Sequence, residues 1–135
     1  VAARHGHPLA RRRAVAPAEL LEQRWILPRR RELERLAFDD MFRAHDLAPP
    51  EAAIETTSTV LMKAVVMQSD VLTFIPRELI WWEQKAGQLL ALNVAGSQWV
   101  RGVGITRRRR GSLSPASRLL IEAVKATAGK LNPAA

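Results

Sequence analysis

The sequence predicts an α/β domain with a mostly parallel sheet. Three observations carry that prediction. Short β-rich apolar runs alternate with longer runs of helical spacing, and prolines and hydroxyl residues punctuate the junctions. The composition is that of a folded globule: of 135 residues, 47% are hydrophobic and 25% charged, enough apolar material for one core.

Val1 to Arg4 reads as the end of a strand, closed by the turn-rich His5-Gly6-His7-Pro8. Pro17 to Glu22 reads as a short helical turn, because proline fits the first helical position, where an N–H would go unpaired anyway. Trp25-Ile26-Leu27 is a brief apolar run stopped by Pro28, as a buried strand would be. From about Arg30 the spacing becomes helical. Leu33, Leu36, Ala37, Met41 and Ala44 share one face, while Glu32, Glu34, Arg35 and Asp39 fall largely elsewhere and read as a wet surface. Pro49-Pro50 ends that helix.

Ala52 to Thr56 forms a second short strand, after which Thr57, Ser58 or Thr59 supplies a helix N-cap through its hydroxyl. The helix that follows, Val60 to about Gln68, is apolar on nearly every side and is expected to be largely buried. Ser69-Asp70 separates it from Val71 to Ile75, a third strand ended by Pro76. Pro76 launches a helix over Arg77 to Ala86, and Gly87 closes it. Within it, Trp81 and Trp82 diverge by about 100°, so one ring is expected in the core and the other partly exposed. Leu89 to Val94 and Val100 to Arg107 are further strands around the loop Ala95-Gly96-Ser97, with Gly102 and Gly104 marking a bend. Ser114-Pro115 starts a last helix carrying Leu119, Leu120, Ile121, Ala123 and Val124.

The absence of cysteine excludes disulfides, thiol nucleophiles and thiolate metal sites, and suits a reducing compartment. No apolar run approaches the roughly 20 residues that span a bilayer, and Val1-Ala2-Ala3-Arg4 has no secretory pattern, so a cytoplasmic protein without a membrane partner is expected. Beginning on Val inside a strand, the chain reads as a fragment. The net charge of +8 comes largely from Arg11-Arg12-Arg13, Arg29-Arg30-Arg31 and Arg107 to Arg110. Such runs can neutralise phosphates, but no aromatic interleaving or helix-turn-helix pattern accompanies them, and they read as solvated loops.

Catalysis finds little support. His5, His7 and His45 have no metal-ligand spacing and read as solvated-loop residues, and no zinc signature, nucleophile elbow or glycine-rich phosphate loop occurs. No catalytic residue, metal or cofactor is therefore expected, and the chain does not read as an enzyme. Binding is better placed. In open α/β sheets, ligands sit beyond the carboxyl ends of strands. Pro28-Arg29-Arg30, Thr56-Thr57-Ser58-Thr59 and Pro76-Arg77 occupy those positions, and helix-terminal amides flanked by hydroxyls suit carboxylate, phosphate or sugar oxygens.

The ordered segments resemble the C-terminal effector (substrate)-binding domain of LysR-type transcriptional regulators. The series runs from Arg4-His5-Gly6-His7-Pro8-Leu9-Ala10 through Glu19-Leu20-Leu21, Trp25-Ile26-Leu27-Pro28 and Leu47-Ala48-Pro49-Pro50. It continues with Glu55-Thr56-Thr57-Ser58, Ser69-Asp70-Val71-Leu72, Ile75-Pro76-Arg77, Val103-Gly104-Ile105-Thr106-Arg107 and Leu113-Ser114-Pro115-Ala116. Among subgroups the chain most resembles regulators related to the galactose-binding-protein regulator.

The resemblance implies a type 2 periplasmic-binding-protein-like fold of two α/β subdomains with an effector between them. On that pattern 1–13 is the end of the first subdomain and a crossover, and 14–98 is the second subdomain, nearly complete. The returning crossover strand and final helix of the otherwise missing first subdomain fall at 99–130, followed by a tail at 131–135. The resemblance also implies that Thr56, Thr57 and Ser58 touch effector, with Pro28, Arg29 and Pro76 flanking the cleft. The effector would be a small molecule, an anion or a sugar, with Arg29-Arg30-Arg31 favouring an anion. The partners would be a second copy in a homo-oligomer and promoter DNA, reached only through a missing N-terminal domain. Two other readings stand beside it: a solute-binding protein of the same fold, and an Arg-rich nucleic-acid-binding domain. A fragment of this kind would expose the apolar face of its last helix and aggregate or dimerise.

Overall fold

Side-chain alternation along three short strands sorts the interior into two layers. In the computed structural model, which describes residues 1–100, 102–109 and 111–131, strand β2 (Trp25–Leu27) is buried at every position. Trp25 and Leu27 enter one apolar cluster with Leu72, Phe74 and Ala3, whereas Ile26 enters another with Ala2, Val71 and Leu89. Successive strand side chains point to opposite faces, so the two clusters lie on the two sides of one sheet.

That sheet has the order β3-β2-β4-β1-β5, with β1 at Ala2–Arg4, β3 at Ile54–Glu55, β4 at Leu72–Thr73 and β5 at Leu89–Ala91. β2 pairs parallel with both β3 and β4, but β1 runs antiparallel to β4 and β5. The sheet is therefore mixed, and the mostly parallel expectation holds for β2, β3 and β4 alone. β1 reads as an ordinary strand in sequence, and nothing local encodes the direction of its neighbours.

Helix α1 (Leu33–Arg43) covers the first cluster through Phe38, Met41 and Phe42. Trp25 meets Phe38 edge-on with ring centroids 4.7 Å apart, and Phe38 meets Phe42 at 5.1 Å and Phe74 at 5.8 Å. The Trp25 indole N–H donates to the Leu20 carbonyl at 3.2 Å, so the ring is buried without an orphan donor. The expected buried face was different. Leu33 and Leu36 are exposed, while Arg35 and Asp39 are buried with Phe38 and Phe42. Two phenylalanine rings stacking on Trp25 outweigh two leucines, and the i, i+4 pairing of Arg35 with Asp39 makes their burial tolerable. The helix also closes earlier than Pro49-Pro50. Asp46 takes the left-handed conformation (φ 57°) and the Leu47 N–H caps the Phe42 carbonyl at 3.1 Å.

Helix α2 (Thr59–Gln68) lies on the opposite face and buries only Met62 and Val66. It is not largely buried as expected: Val60 and Leu61 are exposed, because a helix laid on one sheet face buries one stripe. After Pro76 the chain forms a 3-10 turn (Arg77–Ile80) and then α3 (Trp81–Lys85), not one helix launched by Pro76. The tighter turn directs Ile80 into the core. Trp81 and Trp82 both stay outside, 46% and 75% exposed, stacked edge-on at 4.4 Å with Lys85 over Trp81. Gly87 closes α3 at φ 68°, as expected. His7 is not a solvated-loop residue. It is buried, its Nδ1 accepts from the Leu9 N–H at 3.1 Å, and its Nε2 lies 3.2 Å from the Asp70 carbonyl.

Contacts divide the chain into Val1–Trp99, which holds all of the above, and Val100–Ala135. In the second unit, residues 100 and 102–109 form no strand, against the expectation for Val100 to Arg107. A strand needs a neighbour to pair its N–H and C=O groups, and Gly102 and Gly104 give the segment no side chains to pack. Helix α4 (Pro115–Leu131) starts as expected, with the Ser114 hydroxyl accepting from the Ser117 N–H at 3.1 Å. Arg101, Arg110 and 132–135, which include most of the expected tail, lie outside the described residues.

Candidate functional site

Chain direction creates a crevice at one sheet edge. β2, β3 and β4 are parallel, so their carboxyl ends open on the same side. From β2 the chain leaves through α1 on one face, and from its neighbour β3 it leaves through α2 on the other. Adjacent strands whose exits diverge to opposite faces leave a gap between them, where ligands of open α/β sheets bind. A hollow of about 130 Å³ occupies that edge. Its apolar lining includes Met62, Phe74, Ile75 and Leu79, and its rim carries Thr57 and Thr59 with Glu32 and Glu34.

Of the six expected site residues, Pro28, Thr57 and Pro76 line this hollow together. They come from the ends of β2, β3 and β4 respectively, as the strand-end rule requires. Thr56 and Ser58 instead build the loop that presents Thr57. The Thr56 hydroxyl accepts from the Ser58 N–H at 3.1 Å, and the Ser58 hydroxyl accepts from the Leu61 N–H at 3.2 Å, capping α2. Arg29 is exposed and outside the lining; its carbonyl accepts from the Glu32 N–H at 3.0 Å. Next to it, Arg30 pairs with Glu51 at 2.6 Å.

The electrostatics of the hollow therefore differ from the Arg29-Arg30-Arg31 expectation, since the ionisable side chains lining it are Glu32 and Glu34. Sequence spacing placed both on a wet surface, and Glu32 is indeed exposed and Glu34 half-buried, so they meet the hollow at its open side. One wall is tied by Lys63 of α2. Its ammonium pairs with Glu83 at 2.6 Å and donates to the Leu79 carbonyl at 3.3 Å. The Lys63 hydrogen bond to Glu83, with one from Glu83's own backbone N–H, holds the Glu83 carboxyl below the ordinary carboxylate range. Arg35 is the other group the sequence did not reveal. Its guanidinium, 2% exposed, donates to Asp39 at 3.0 Å and to Glu55 at 3.3 Å, directly before Thr56. Among the described residues no cluster of potential metal ligands occurs, and no helix is long and apolar enough to cross a membrane.

The family profile described as LysR substrate binding domain matches residues 1–129. The chain belongs to this family. It is 27% identical over 125 residues to the HTH-type transcriptional regulator GalR of Pseudomonas putida, covering 93% of this chain and 31% of that protein. It is 32% identical over 124 residues to the HTH-type transcriptional regulator GbpR of Azospirillum brasilense, covering 91% of this chain and 36% of the relative. The LysR chain thus spans about a third of the length of these curated relatives. Its fold matches the crystal structure of a Pseudomonas aeruginosa protein assigned to the LysR family. The TM-score is 0.65 at 19% identity, over 95% of this chain and 45% of that one. These relatives are transcription regulators and not enzymes, and the LysR chain carries the corresponding mixed α/β fold of the type 2 periplasmic-binding-protein-like class.

Proposed function

We propose that this LysR domain holds a small, hydroxyl-rich effector such as a sugar, at the crevice between the ends of β2, β3 and β4, within a cytoplasmic transcription regulator. The observation that carries this reading is the convergence of Pro28, Thr57 and Pro76 on one hollow at the diverging strand exits. The rim favours a neutral polyol over an anion. Threonine hydroxyls and the Glu32 carboxylate can accept from sugar O–H groups, and a rim whose ionisable residues are acidic disfavours a further carboxylate. The faces of Phe74 and the prolines suit the apolar side of a sugar ring.

In this reading residues 14–98 form one effector-binding subdomain, with 1–13 and 99–130 as the crossovers and final helix of the other. The helix-turn-helix of the named relatives would supply DNA contact outside this chain, in a homo-oligomer. Effector binding acts by differential affinity for two hinge states.

Thermal-shift titration with monosaccharides, aliphatic carboxylates and aromatic acids tests the proposal. A sugar at about 100 times its Kd should stabilise by about 2.7 kcal/mol, and Thr57→Val should abolish the shift. A shift with carboxylates alone would reassign the effector to anions. A sugar shift that survives Thr57→Val would move the site elsewhere.

A further inference from the structure

The loop that carries Thr56, Thr57 and Ser58 hangs on weak local support. Its parent strand β3 has two residues, both exposed, and lies at the sheet edge. Two backbone hydrogen bonds brace the flanks: Ala53 N–H to the Trp25 carbonyl at 2.9 Å and Thr56 N–H to the Leu27 carbonyl at 3.0 Å. Edge strands this short fray unless something else holds them. The extra hold comes from α1. Arg35, buried beneath the Phe38 ring face at 5.8 Å, sends Nη1 to the Glu55 carboxylate at 3.3 Å while its Nε stays on Asp39 at 3.0 Å.

The division of labour within this triad is uneven. Asp39 is itself buried and on the same helix, so it neutralises Arg35 in place. Glu55 is 44% exposed and adds no further charge that the core needs. Its carboxylate could sit in water at little cost, yet it reaches back to a buried guanidinium 20 positions earlier in the chain.

We infer that Arg35 is a positioning residue for the cleft. Through Glu55 it fixes the end of β3, and with it the height at which Thr57 and the capped amides of α2 enter the hollow. α1 thereby supplies Glu32 and Glu34 to the rim at its amino end and, one turn on, locks the opposite side of the same rim. Any rotation of α1 about Phe38 changes both sides together. The consequence for ligand affinity rests on the effector-cleft reading; the tether itself does not, and it is tested without any ligand.

Hydrogen exchange on the 135-residue chain, followed by NMR or mass spectrometry, provides the test. Glu55→Ala should raise the exchange of the Thr56, Ser58, Leu61 and Met62 amides by about fivefold, with β1, β5 and the α1 amides unchanged and the melting temperature nearly so. Glu55→Gln retains an amide oxygen that accepts from Arg35, and should restore most of the protection. Unchanged exchange in Glu55→Ala would overturn the inference. A rise spread evenly through α1 and β1 would also overturn it, by making Glu55 a general stabiliser. Neither result bears on whether a sugar shifts the melting temperature, so the two readings fail separately.

Discussion

Arg35 and Asp39 sit side by side inside the layer that Trp25, Phe38 and Phe42 build, and their energetics depend on being kept together. Removing Asp39 leaves buried Arg35 with only the half-exposed Glu55 as partner. Asp39→Ala should therefore cost about 1.5–3 kcal/mol in urea denaturation, whereas Arg35→Met combined with Asp39→Leu should recover most of that loss. Equal destabilisation by the single and double variants would show that shape, not charge, governs the site. This is also where the sequence was least legible. Arg35 and Asp39 have the residue types of a wet helix face, and helical spacing alone does not say which way the helix rolls. The roll is decided by Phe38 and Phe42 finding Trp25, a contact between separate elements. His7 was misread as a solvated-loop residue for a related reason, since the Asp70 carbonyl meets it only once β1 and the end of α2 lie together.

At the scale of the element, several boundaries written in proline, glycine and hydroxyl residues were legible, though Pro49-Pro50 and Pro76 misled. Pro28 ends β2, Ser58 caps α2, Gly87 closes α3 and Ser114 caps α4. Burial of whole elements was not, because it depends on what lies above them; α2 exposes Val60 and Leu61 for want of a second layer. The link between α2 and α3 carries a pH prediction. The folded-state pKa of Glu83 is depressed, chiefly by the hydrogen bond from Lys63, so its contribution is present above its unfolded value and disappears as pH falls through the folded value. At about pH 6, Glu83→Gln should melt a few degrees below the parent chain, and the gap should shrink as pH falls below the ordinary carboxylate range. A gap that persists in acid would assign the effect to packing against α2.

Across the whole molecule, the alternation of apolar runs predicted the α/β class, and of the segments the strand-end rule singled out, Pro28, Thr57 and Pro76 line one hollow. The strand over Val100 to Arg107 was overpredicted, because β-propensity without a pairing partner forms no ladder. The second unit makes its own prediction. Leu119 and Leu120 are 67% and 66% exposed on α4, with Val124 beside them. Contiguous apolar side chains of this kind bind hydrophobic dyes. The chain should enhance anilinonaphthalene sulfonate fluorescence, and Leu119→Lys with Leu120→Lys should abolish most of it. Undiminished fluorescence would place the dye on the Trp81–Trp82 surface.

The reversed strand β1 has a consequence for how the sheet is assembled. β1 precedes β2 in the chain, yet its partners are β4 and β5: Ala2 faces Thr73 on one side and Ala91 on the other. Within this unit, β1 must wait for β4 and β5 to be made before it can pair. Its closure spans most of the Val1–Trp99 unit, and loops that long carry an entropic cost before any contact rewards them. β2, α1 and β3 can condense early around Trp25 and Phe38, but Ala2 and Ala3 enter only as a closing wedge. Folding of this unit should thus be slow for its size and limited by that insertion, leaving the β1 edges of β4 and β5 open until β1 enters.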